Sequence, residues 1–134
     1  MILVDTNVWS EASKPNGSRK VVQWLAGNQK QLWLSTIVIA EIRAGIENPD
    51  AVDKRDEIEH WLATIEKAQA SRTLFFDRPA AYALGRLLVS KPQDKKMLDT
   101  LLAAQAIAHD CPIATRNMRD FEWAGVKLIN PWDA

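Results

Sequence analysis

The sequence is poor in cysteine and histidine. Only Cys111, His60 and His109 stand among 134 residues. A lone cysteine excludes an internal disulfide and suits a reducing compartment. Beside Pro112 it reads as a small buried hydrophobe. With so few soft donors, zinc lacks a ligand set. His60 lies off the apolar stripe of its helix and reads as surface, and His109 sits where a helix closes and a cation is favoured. Net charge is absent as well, since Lys+Arg and Asp+Glu both number 17. Bulk attraction to nucleic acid is therefore excluded, and any basic patch must be local. No basic leader precedes an apolar run, and no stretch is long enough to span a bilayer, so a soluble cytoplasmic protein is expected. Repeats, low-complexity tracts, linkers and tight hairpin signals are also missing. Residues 1–134 read as one domain, and 47% hydrophobic residues suffice for a full core.

What is present is an alternation of short apolar runs and helical segments. Ile2-Leu3-Val4 has the character of a strand buried on both faces, ending abruptly in Asp5. Thr6 and Asn7 offer caps for a helix through Val8 and Trp9. Ser13 to Gly17 is a loop by composition, and Ser18 caps a helix that Gly27 ends. Leu32 to Leu34 predicts a second strand, followed by a helix over 37–46 that is apolar on nearly all sides and so expected to be largely buried. Asn48-Pro49 opens the longest helix, to about Gln69, with Ile58, Trp61, Leu62 and Ile65 as its stripe. Thr73 to Phe76 is a third strand, after which Asp77 caps a helix. Lys91 to Lys96 reads as an exposed, net basic loop. Met97 to Ala108 is another nearly apolar helix. Strands over 112–114 and 126–129 complete the chain. Such alternation predicts a parallel sheet flanked by helices. Trp24, Trp33 and Trp61 are expected to pack on the core, with one or two of the six tryptophans left to line a partner groove.

Four acids have no packing reason to be where they are. Asp5 and Asp120 both follow strands, and ligands of an open parallel sheet bind outside the carboxyl ends of its strands. Glu41 and Asp99 are the lone acids of the two most apolar helices. Each has a structural alternative: Asp5 as a helix cap, Glu41 in a salt bridge, Asp99 at the positive end of a helix dipole. Taken together they suggest one site. Carboxylates crowded there repel, and a hard divalent cation, Mg²⁺ or Mn²⁺, relieves the repulsion. Carboxylate-held Mg²⁺ is the apparatus of phosphodiester cleavage. Thr6, Thr115 and Asn117 are placed to orient a water or a carboxylate.

The segments ILVDTNVWSE, STIVIAEIRAGI, MLDTLLAAQAIAH and IATRNMRDFEWAGVKLINPW resemble, in that order, the PIN-domain ribonucleases, and among them the VapC-type toxins of the FitB-like group. The resemblance spans essentially the whole chain. It implies a PIN-like α/β/α sandwich whose central parallel sheet has about five strands. It also implies a Mg²⁺-dependent endoribonuclease that cleaves single-stranded RNA, a homodimer, and the toxin role in a type II toxin–antitoxin pair held by a DNA-binding antitoxin. Carried over by motif, the metal-site acids are Asp5, Glu41, Asp99 and Asp120. Two competing readings share the site: a flap-type DNA nuclease and a non-catalytic partner-binding PIN protein. A phospho-receiver domain is rejected, because Asp5 stands alone at the end of the first strand where that class needs paired acids.

Overall fold

The computed structural model describes residues 1–134. Strands β1 (Ile2–Val4), β2 (Leu32–Ser35), β3 (Thr73–Leu74), β4 (Ile113–Ala114) and β5 (Leu128–Ile129) are threaded between helices α1 (Thr6–Glu11), α2 (Arg19–Gly27), α3 (Thr36–Glu47), α4 (Arg55–Ala68), α5 (Arg78–Ser90), α6 (Met97–Ala108) and α7 (Arg119–Glu122). The five strands form a sheet of order β3-β2-β1-β4-β5, parallel throughout. β1 is central and buried on both faces, as its apolar run requires. Its chain leaves toward β2 and β3 on one side, and β4 leads to β5 on the other. The carboxyl ends of β1 and β4 therefore flank the point where the connections diverge, the place where an open α/β sheet has a natural crevice.

Side-chain caps set the helix starts. Ser18 accepts from the Val21 amide at 3.3 Å, Ser35 from Ile37 at 2.9 Å, and Asp77 from Ala80 at 3.0 Å; each satisfies an N–H that the helix leaves open. α1 is capped by Asp5, the structural alternative for that residue, and Thr6 is its first helical residue rather than its cap.

Several elements are shorter or more one-sided than the sequence suggests. α3 buries only Val38, Ile42 and Ile46. Its small residues Ala40 and Ala44 face solvent, because they can do so at little cost. The segment expected as one helix over 49–69 begins as a 3-10 turn, Pro49–Lys54, kinked at Ala51, and is α-helical only from Arg55. β3 stops at Leu74, and Phe75 turns out to solvent at 68% exposure. β4 and β5 pair over two residues each, in register Ile113 with Leu128 and Ala114 with Ile129. Pro112 has no N–H to give, though its carbonyl still accepts from Leu3 at 2.9 Å.

α6 crosses the carboxyl ends of β2 and β3, pinned there by the fully buried Gln105. Its amide donates to the Leu74 carbonyl at 3.3 Å, and its oxygen accepts from the Ser35 hydroxyl. These contacts fix the helix whose first turn carries Asp99. α6 packs against α3, which carries Glu41, and against α7, which carries Asp120. Trp24, Trp33 and Trp61 are half-buried against the core, Cys111 is buried, and His60 is exposed, all as expected.

Candidate active site

The four acids arrive at one place from four elements. Asp5 follows β1, Glu41 lies on α3, Asp99 on α6 and Asp120 on α7. They line a pocket of about 220 Å³ together with Thr6, Asn7, Lys96 and Asn117, and no hydrophobic residue contributes to its wall. It opens at the carboxyl ends of β1 and β4.

Asp5 is the anchor: it caps α1 and also lines the pocket. Its Oδ1 accepts from the Thr6 amide at 2.8 Å and so caps α1. Its Oδ2 faces the crevice, accepting from the Thr115 hydroxyl at 2.8 Å and from the Asn7 amide at 3.1 Å. Thr115 follows β4, so this bond ties the two diverging strands together. Burial nonetheless raises the Asp5 carboxyl above its ordinary range. Its hydrogen bonds oppose that rise, and the charge of Glu41 adds to it. Asp99 is pushed up to about 6, first by burial and then by the charges of Asp5, Asp120 and Glu41, with Lys96 pulling the other way. The mutual influence of these carboxylates is the electrostatic sign that they share a site.

None of Glu41, Asp99 and Asp120 takes part in an ion pair. The salt-bridge alternative for Glu41 therefore fails, since Arg43 pairs with Glu47 and Glu59 instead. Asp99 stands in the first turn of α6 but accepts no backbone N–H; that helix has no side-chain cap. Thr6 Oγ1, in the pocket wall, is buried and has no hydrogen-bond partner. Asn117 lines the pocket, but its link to Asp5 is indirect: its backbone N–H donates to Thr115 Oγ1 at 3.1 Å.

Two pocket residues depart from what their sequence positions suggest. Asn7, a candidate helix cap, is instead a partner of the Asp5 carboxylate and also accepts from the Arg116 backbone N–H at 3.1 Å through Oδ1. Lys96, the last residue of the basic loop, is a pocket cation. Its signal was position alone, three residues before Asp99.

The pocket has the donor set of a hard cation. All its charged oxygens are carboxylates, and an unpartnered hydroxyl sits beside them. No three acids, histidines or cysteines lie close enough to chelate one ion directly.

A parallel sheet with a carboxylate pocket at its switch point defines a class. The chain belongs to the PIN domain family, whose match covers residues 2–125. Among its relatives, it is 36% identical to the VapC ribonuclease Y4jK of Sinorhizobium fredii, over 99% of each chain. It is 34% identical to Toxin FitB of Neisseria gonorrhoeae, over 98% of this chain and 99% of that one. The fold superposes on a crystal structure of FitAcB from Neisseria gonorrhoeae with a TM-score of 0.85, at 34% identity and complete coverage of both chains.

Proposed function

We propose that this chain is a Mg²⁺-dependent endoribonuclease that cuts single-stranded RNA and serves as the toxin of a type II toxin–antitoxin pair. The observation that carries the reading is the convergence of Asp5, Glu41, Asp99 and Asp120, unpaired by any cation bridge, on one pocket without apolar lining. The names of the relatives, a ribonuclease and a toxin, support it.

The acids supply the ligands, Asp5 and Asp99 foremost, with Mn²⁺ as an alternative ion. When bound, the ion supplies an acidified water and positive charge at the scissile phosphate. Thr115 and Asn7 hold the inner Asp5 oxygen toward the crevice. Thr6 Oγ1 is free to accept from or donate to a water there. Lys96 brings a cation to the rim, where a phosphate oxygen gathers charge. Neither histidine lies in the pocket, so the paired acid–base groups that a 2′-hydroxyl attack wants are absent from it.

Incubation of purified protein with mixed RNA and DNA, in Mg²⁺ and in EDTA, followed by end-group analysis, tests this directly. Expected are RNA fragments with 5′-phosphate and 3′-hydroxyl ends, lost in EDTA. Cyclic phosphates that persist in EDTA would overturn the mechanism. Cleavage confined to DNA flaps would favour the nuclease alternative.

Two surfaces suit the implied partners. An apolar groove of about 390 Å³, walled by Trp9, Val22, Leu25, Trp61 and Ile65, suits the apolar face of an antitoxin segment that folds on contact. An arginine of that segment could reach the acid pocket. Tyr82 and Val89, seven residues apart on one side of α5, are exposed at 67% and 89%. That apolar pair suits a second copy of the chain. A cytoplasmic site of action suits this reading, and the free, buried Cys111 is compatible with a reducing compartment. Growth arrest on expression, relieved by co-expression of a cognate antitoxin, tests the toxin role.

A further inference from the structure

Beside the acid pocket lies a second polar cleft, of about 490 Å³, lined by Arg116, Asn117, Met118, Arg119, Asp120 and Asn130. Asn117 and Asp120 belong to both. We propose that this cleft is a second phosphate subsite, gripping the RNA backbone beside the bond that is cut, with Arg116 as its principal contact. The inference rests on the ribonuclease reading and extends it to the path of the strand.

The chain has no net charge, so its contact with a polyanion must be local. The cations collect on this rim. Arg116 and Arg119 are exposed, and neither is engaged by a carboxylate. Lys95 reaches the same rim, donating to the Arg119 carbonyl at 3.1 Å. Arg116 is also preorganised. Its backbone N–H is held by Asn7 Oδ1 at 3.1 Å, and its guanidinium lies 5.0 Å from the ring centre of Trp132. A guanidinium backed by an indole ring keeps its edge for bidentate bonds to phosphate and its outer face for a base. Asn130 is oriented in the same way: Oδ1 accepts from the Trp132 amide at 3.0 Å, leaving its amide N–H groups to donate. A protein carboxylate could also meet these arginines. What favours RNA is continuity with the acid pocket, because a strand with one phosphate among the acids must carry the next one past this rim.

The test uses a 5′-fluorescein-labelled single-stranded RNA of mixed sequence, read by anisotropy in Mg²⁺ on an Asp99→Asn background that prevents cutting. A parallel arm follows hydrolysis of bis(p-nitrophenyl) phosphate, which has no flanking phosphate, on the otherwise native chain. Arg116→Ala and Arg119→Ala should each weaken RNA binding roughly tenfold. Each should also reduce the slope of log affinity against log salt by about 0.7. Lys30→Ala, remote from the rim, is the control for charge alone. On longer RNA the loss should fall on KM, with kcat little changed. Unchanged RNA affinity and salt slope would overturn the subsite. So would an equal loss on the small diester, or a loss seen only in antitoxin inhibition, which would make the rim a protein contact. If the small diester and RNA both resist the wild type in Mg²⁺, the ribonuclease reading fails by itself, while the anisotropy arm still decides the subsite.

Discussion

Helix α1 has a buried carboxylate at each end, and the two live under opposite rules. Asp5 opens the helix and Glu11 is its last residue; each is 7% exposed. At a helix C-terminus the dipole disfavours an acid, yet Glu11 ionises more readily than usual. The Ser18 amide donates to Oε1 at 2.8 Å, Lys14 approaches Oε2 at 3.3 Å, and these bonds lower its pKa against the cost of burial. The contact closes the α1–α2 loop so tightly that a Cβ on Gly17 would stand 2.2 Å from the Glu11 carbonyl oxygen. Asp5 sits at the favourable end of the dipole and has three hydrogen bonds, yet its pKa is raised. The difference lies in what surrounds them. For Glu11 the Ser18 amide, with Lys14 behind it, outweighs the cost of burial; for Asp5 burial outweighs three hydrogen bonds, and the charge of Glu41 adds to the rise. One carboxylate is bonded well enough to stay ionised inside the fold, and the other is not.

The widest separation between the two ends should appear in catalysis. Asp5→Asn and Asp99→Asn should each lower kcat on RNA by about two to four orders of magnitude, the loss of charge stabilisation at the phosphate. Glu11→Gln should retain most of the rate per folded molecule. Equal losses in all three, at matched circular dichroism, would erase the distinction. In stability the order reverses. Glu11→Ala leaves the Ser18 amide and Lys14 without their acceptor and should cost about 1–3 kcal/mol in urea unfolding.

Mg²⁺ should sharpen the contrast. Held in the proposed site, which exists only in the folded state, it should stabilise the wild type by RT ln(1 + [L]/Kd), roughly 1–3 kcal/mol at ten to a hundred times Kd. Asp99→Asn should gain much less. In EDTA the sign turns. Asp99 ionises near 6 in the fold against an ordinary value of 3.8. Between those values the folded state keeps a proton that the unfolded state has lost, so the wild type loses stability as pH rises from about 4 to about 6. Asp99→Asn escapes that loss. It should match the wild type near pH 4 and exceed it above pH 6, by about 1 kcal/mol once solvent screening of this half-buried group is allowed for. Thermal melts at both pH values check it, and a constant offset would assign the effect to packing.

Much of this was legible in the residues because local chemistry and global fold agree. Ile2-Leu3-Val4 before Asp5 marked both the central strand and the end of it that opens on the acid pocket. The serine and aspartate caps gave the helix starts. Asp99 alone reads as an ordinary first-turn helix acid; only its company with Asp5, Glu41 and Asp120 marks it. The misses have physical causes. The burial of α3 was overstated, since apolar composition does not say which face meets a neighbour. β3 and β5 were drawn too long, since an edge strand is ended by what stands beside it, as Phe75 at 68% exposure makes plain. The one-turn helix α7 has no period to detect, and Asn7 and Lys96 gain meaning only when the chain brings them to Asp5 and Asp99.

The smallest expected effect is the most discriminating, because two contributions to Asp5 oppose each other. Removing its charge relieves burial and the repulsion of Glu41, which alone would raise stability. Replacing a carboxylate oxygen by an amide nitrogen also disturbs its bonds. The oxygen toward Thr6 can stay, so the cap survives. The new N–H₂ group faces the Asn7 amide, which cannot accept, and the Thr115 hydroxyl, which already accepts from the Asn117 amide and loses the acceptor of its own O–H. Asn7 keeps only its long contact of 3.4 Å to Thr115 Oγ1. The relief is thus set against the weakening of two hydrogen bonds, each worth about 1 kcal/mol. Asp5→Asn in EDTA at neutral pH should therefore unfold within about 1 kcal/mol of the wild type, below Asp99→Asn, which has no bonds to lose. A gain as large as that of Asp99→Asn would mean that the Thr115 and Asn7 contacts contribute nothing. A loss above about 2 kcal/mol would make Asp5 first a structural cap, and Glu11 its equal rather than its opposite.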